Sequence, residues 1–108
     1  MVKEIDAYDL QARQLDGDDV MLLDIRSAGE LVHGMLPDAE HIPMHLIPMR
    51  VNELPKDKDV VLYCHSGARS YHACAYLVQH GFNNVLNLRG GILAWARSGN
   101  QLDVRKAG

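Results

Sequence analysis

The sequence predicts an α/β domain: a central parallel sheet of about five strands with helices on both faces. Three observations predict it. Residues 20–25 and 60–63 are apolar at nearly every position rather than at alternate ones, as in strands covered on both faces. Segments with helical periodicity or capping signals alternate with the strand candidates, and the links between them are short. Three residues able to do chemistry, Asp24, Cys64 and Arg89, fall where strands end. In open parallel sheets ligands bind outside those carboxyl ends, and right-handed crossovers would bring them together.

The elements follow in order. Residues 2–5 make a short first strand. Asp6 is placed to cap a helix over 7–15, with Asp9 in its first turn, where the positive helix end favours a carboxylate. A polar turn at 16–19 ends it. The strand over 20–25 carries Asp24 near its end, a carboxylate that is costly to bury unless it is paired. Arg26, two residues on, lies on the same side of an extended chain. Ser27 and Glu30 have capping-box spacing, which predicts a short helix that His33 and Gly34 close. Pro37 and Pro43 punctuate an irregular stretch holding a brief strand at 40–42. A helical segment over 45–54 contains Pro48, which fits a first turn and puts the helix start near Ile47. Beyond the strand at 60–63, Ser70, Ala73, Cys74, Leu77, Val78 and Gly81 share one helix face. Gly81 suits the residue that ends that helix. Residues 84–88 are a last strand, Gly90-Gly91 a tight turn, and 92–97 a short helix carrying Trp95. The tail from Gln101 is polar and is expected to fray.

The 108 residues fit one domain over 1–108, and 47% hydrophobic residues are ordinary for a globular protein. A net charge of −3 gives no reason to expect nucleic acid or an anionic membrane as partner. No apolar run approaches the ~20 residues of a membrane span, and the first residues lack a signal-peptide core. A cytoplasmic protein is expected. The two cysteines, Cys64 and Cys74, form no CxxC pair, and no His/Cys cluster has zinc spacing. Nothing in the sequence calls for a metal or an organic cofactor.

The turn after the 60–63 strand carries the chemistry. Thiolate is the reactive form of cysteine, yet an ordinary thiol is only about 3% ionised at pH 7. Cys64 directly precedes a helix, whose free N–H groups favour an anion. Ser66, Gly67 and Ala68 are small enough for the backbone to curl its N–H groups inward as an anion nest. Arg69 adds a fixed charge. These features make Cys64 a candidate nucleophile, with His65, Ser66, Gly67, Ala68 and Arg69 as its loop. Four residues separate Cys64 from Arg69. Cysteine phosphatases use five, wrapping a tetrahedral phosphate. The shorter loop suits something smaller, such as a sulfur atom carried on Cys64.

In these features the sequence resembles the single-domain rhodanese family of sulfurtransferases, over about residues 3–98. The resemblance is carried by Leu23-Asp24-Ile25-Arg26 with Glu30, by Gly34, Pro37 and Ala39, and by His41-Ile42-Pro43. It continues in the loop from Tyr63 to Ser70, and in Gly81-Phe82, Val85, Leu88, Gly90-Gly91 and Ala94-Trp95. It implies a rhodanese-like fold and a persulfide on Cys64, formed from thiosulfate or another sulfane-sulfur donor. The sulfur then passes to cyanide, a thiol or a protein acceptor. A sulfur carrier serving a partner protein's persulfide uses the same loop. Family members with a longer loop are associated with phosphatase or arsenate reductase activity. Met35 and Asp38 stand where members often have histidine and glycine, and local backbone changes with an altered rim are expected there.

The remaining candidates have plainer readings. Arg69 is expected to anchor the loop through a carboxylate such as Glu30 while adding some charge to the site. Asp24, Arg26 and Ser70 support the loops around it. His65 is expected to face solvent, where it can tune the acceptor. Tyr63, Cys74 and Trp95 read as core, and the other histidines show no metal spacing.

Overall fold

The computed structural model of the protein describes residues 1–104. Five parallel strands form the sheet: β1 (Lys3–Ile5), β2 (Met21–Asp24), β3 (Glu40–His41), β4 (Val60–Tyr63) and β5 (Val85–Leu88), in the order β1-β5-β4-β2-β3. Every residue of central β4 is buried, which is why its sequence does not alternate.

Each face has its own core. On one, Leu23, Val60, Leu62 and Val85 pack against Ala73, Cys74 and Leu77 of α3 (Ala68–Gln79) and Ile47 of α2 (Ile47–Arg50). On the other, Ile5, Leu22, Val61, Tyr63 and Leu88 meet Ala7 and Leu10 of α1 (Ala7–Leu15) and Ile92 and Trp95 of α4 (Gly91–Arg97). Helices therefore cover both faces. Asp6 caps α1, its carboxylate accepting from the Asp9 amide at 2.8 Å.

The irregular stretches refine the sequence reading. Residues 28–33 wind as a 3-10 helix, with the Glu30 amide donating to Ser27 O at 3.1 Å. The 45–54 segment is broken into a 3-10 turn (Met44–Leu46), α2 with Pro48 in its first turn, and a second 3-10 turn (Val51–Glu53). Met35 is not at a rim: it is fully buried in the second core. Asp38 takes the left-handed conformation at φ 63°, which aspartate enters at modest cost in place of glycine.

The chain beyond α4 turns back along the molecule. Trp95 Nε1 donates to Gln101 O at 2.9 Å, and Asp103 pairs antiparallel with Met35 through two 2.8 Å bonds. Residues 105–108 lie outside the described residues. Among the described residues no helix is long and apolar enough to cross a membrane.

Candidate active site

β4 delivers Cys64 to the carboxyl end of the sheet and the chain turns at once into α3. Gly67 makes the turn possible, at φ 102° and so close to the next loop that a Cβ would stand 3.2 Å from the Gly90 amide. Cys64 is 1% exposed, yet its sulfur is not in an apolar setting. Sγ accepts the Gly67 N–H at 3.1 Å and the Ser70 N–H at 3.5 Å, and the Ser70 hydroxyl lies 3.4 Å away. Burial by itself pushes the thiol pKa up. The Ser70 hydroxyl and the amides of Ser70, Gly67 and Ser66 together outweigh it and bring the thiol below its ordinary value.

The loop is held from two further sides. From α4, the Ile92 and Leu93 amides donate to the carbonyls of Cys64 (3.0 Å) and His65 (3.2 Å). Gly91 permits that approach, since a Cβ there would fall 2.6 Å from Cys64 O and 2.5 Å from His65 O. From the 3-10 helix, Glu30 grips Arg69 with two bonds, Nη1–Oε1 at 2.7 Å and Nη2–Oε2 at 2.8 Å. Arg69, with the N–H and hydroxyl of Ser27, holds the Glu30 carboxyl down to about 2. Arg69 thus anchors the loop through Glu30, while its charge also acts on Cys64.

Asp24 and Arg26 lie with Tyr63 on the opposite face of the sheet. Both are buried, with Arg26 Nη2 bonded to Asp24 Oδ2 at 2.8 Å and to Gly34 O at 2.7 Å. Arg26 Nη1 also donates to Glu30 O at 3.3 Å, so the pair braces the helix that presents Glu30. His65, Ser66 and Ala68 point outward from the loop and are exposed, and His72 is exposed on α3.

Asn87 and Glu4 are functional candidates that the sequence reading passed over. Asn87 is 1% exposed in the middle of β5 and bonds Ser70 Oγ, Gly67 O and Glu4 Oε2. The available signal was an asparagine inside an otherwise apolar strand, a residue that burial tolerates only when its amide is satisfied. Gly91 also reads from the sequence as no more than a turn.

A cavity of about 430 Å³ opens beside the loop. Arg69 and His65 stand at one side, and Ile92, Leu93 and Leu102 form an apolar wall. No cluster of three or more potential metal ligands occurs among the described residues.

Comparison with known proteins identifies the family. The model of the "Rhodanese-like domain" family matches residues 6–98. A protein named "Sulfurtransferase" from Allochromatium vinosum is 63% identical over 99 residues, 92% of this chain and 92% of that one. Among solved structures, a rhodanese-related protein from Thermoplasma volcanium superposes with a TM-score of 0.87 at 28% identity, covering 95% of this chain and 99% of that one. A rhodanese-like domain protein from Staphylococcus aureus also gives 0.87, at 30% identity over 97% of this chain and all of that one. The chain belongs to the rhodanese-like domain family.

Proposed function

We propose that the protein is a sulfurtransferase that carries sulfur as a persulfide on Cys64. The observation that supports this best is the cradle itself. A buried sulfur sits among the Gly67 and Ser70 donors at the start of α3, its pKa lowered, in a loop one residue shorter than a phosphate requires. The Cys64 thiolate attacks the outer sulfur of thiosulfate. An S–S bond forms to Sγ, and sulfite leaves with the electron pair of the bond that breaks. The outer persulfide sulfur carries the negative charge, and inward-facing amides suit it. A nucleophilic acceptor then attacks that sulfur and returns the thiolate.

Cyanide would leave most of the 430 Å³ cavity empty. The apolar wall of Ile92, Leu93 and Leu102 favours an acceptor with a carbon body, an organic thiol or the thiol of a partner protein. Mass spectrometry tests the proposal. Treated with thiosulfate, the wild-type chain gains one sulfur atom and loses it to an added thiol, whereas Cys64→Ser gains none. A wild-type chain that stays unmodified with thiosulfate and with a protein persulfide donor ends this reading. The relative rates with those two donors separate a thiosulfate enzyme from a carrier fed by a partner.

A further inference from the structure

Ser70 has one hydroxyl proton and two groups that compete for it. Its Oγ lies 2.5 Å from Asn87 Oδ1 and 3.4 Å from Cys64 Sγ. An amide oxygen carries no hydrogen, so the contact with Asn87 is a bond only when Ser70 donates. The amide is fixed in that sense. Its nitrogen donates to Glu4 Oε2 at 2.9 Å and to Gly67 O at 3.2 Å, and a flip would set oxygen against oxygen at both. Sheet register puts the group there: Asn87 lies between Glu4 on β1 and Leu62 on β4, its side chain beneath the loop.

The needs of the sulfur change through a turnover. As a thiol, S–H can donate to Ser70 Oγ while Oγ–H continues to Asn87, and every group is satisfied. A bare thiolate has no hydrogen and draws donors, and the Ser70 hydroxyl reaches it only by leaving Asn87. In a persulfide, Sγ is bonded to a second sulfur and the charge has moved outward, so the hydroxyl is free to return. The change is one hydroxyl rotation, with no covalent bond made or broken.

We propose that Asn87 is a positioning residue acting through Ser70: by competing for its proton, Asn87 disfavours the bare thiolate and favours the sulfur-loaded state. Glu4 holds the Asn87 amide in the competing orientation. Only the loaded state rests on the sulfur-transfer reading. The charged groups about the sulfur are Arg69 with its partner Glu30, the Asp24–Arg26 pair across the sheet, and Glu4 on β1, with the titratable His65 on the loop itself. Of these, Glu4 loses a hydrogen bond when Asn87 is changed, and the Ser70→Ala background controls for its charge.

The test follows carbamidomethylation of Cys64 by iodoacetamide in the full chain across pH. Asn87→Ala lowers the Cys64 pKa by roughly 0.5–1 unit, the scale of one hydrogen bond. Ser70→Ala raises it, and the double variant matches Ser70→Ala. An unchanged or higher pKa in Asn87→Ala, or a drop that survives in the Ser70→Ala background, overturns the proposal. Should Asn87→Ala fail to fold, Glu4→Ala on the exposed strand, which removes the acceptor that orients the Asn87 amide, decides: a drop that requires Ser70 supports the idea, and its absence sinks it. This readout uses no sulfur donor, so a chain that cannot be loaded defeats the sulfurtransferase reading and leaves the thiolate result standing. At equal thiosulfate and sulfite, the ratio of persulfide to free thiolate in Asn87→Ala falls roughly 3–10-fold, the same hydrogen bond read at equilibrium. An unchanged ratio overturns the loaded-state half.

Discussion

Gly91 shows how much of this site depends on a missing side chain. Its φ of 59° already disfavours any residue with a Cβ, by roughly 1–2 kcal/mol. The larger effect is steric, because the added carbon would overlap the two loop carbonyls that α4 holds. Gly91→Ala is expected to push the Cys64 loop off α4 and lower the rate of Cys64 alkylation at least tenfold. Gly29→Ala, with nothing within 4 Å of its Cβ, should leave the rate unchanged. Equal rates in the two variants would mean that the clamp does not shape the loop. At this scale the sequence was unevenly legible. Cys64 stood out because a strand, small residues, an arginine and a helix converge on it within a few positions. Asn87 did not, because its partners Glu4, Gly67 and Ser70 are distant in sequence and only the register of β1 against β5 assembles them. Asp24 and Arg26 were legible as a pair, and the energetic consequence is specific. Arg26→Met leaves a fully buried carboxylate without its counter-ion, a loss of about 3–5 kcal/mol in a urea denaturation curve.

Between elements, the contact to test is the one joining the 3-10 helix to α3. Ser27 and Glu30 were read as a capping pair, which is sound as far as local spacing goes. The same carboxylate also receives Arg69, 39 residues away, the partner expected for that arginine. That second partner is why Glu30 is held down to about 2, mainly by the Arg69 bonds. Its pKa is depressed in the folded chain, so the anchor's contribution is fully present above the ordinary carboxylate range. It is lost as pH falls through about 4.5 toward 2. Wild-type stability should therefore fall over that window more steeply than that of Glu30→Gln, whose curve lacks this slope. Parallel slopes would show that the pair is open in solution. The effect will be modest, because the Arg69 and Glu30 side chains are 43% and 31% exposed and solvent screens them. The 3-10 winding of residues 28–33 was not legible, since capping signals mark where a helix begins and not which hydrogen-bond period it adopts.

Over the whole molecule, the alternation of doubly buried strands with helices was enough to specify the sheet, because each such strand needs a covering layer on both sides. What the pattern left open was where the chain beyond α4 goes. The Trp95 indole holds it at the Gln101 carbonyl and Met35 pairs backbone to backbone with Asp103, contacts that no sequence pattern announces. The two cysteines give a direct reading of how cooperative the resulting structure is. Cys64 is buried too, but the donors of its loop outweigh burial and hold its thiol pKa below the ordinary value. Cys74 is fully buried under α3, and burial, with a smaller push from the Glu4 charge, raises its pKa to about 12. Near neutral pH, a thiol reagent should therefore modify one cysteine of the folded chain, and Cys64→Ser should show none reacting on that timescale. Cys74 lies in the core shared by β2, β4, β5, α2 and α3, so no small local opening reaches it. Its labelling should require unfolding of the whole sheet, with a urea dependence of about 1–3 kcal/mol per molar, as for a small domain losing its entire core. A much shallower dependence would mean that α3 lifts from the sheet by itself, and the loop that begins α3 would then be mobile as a unit.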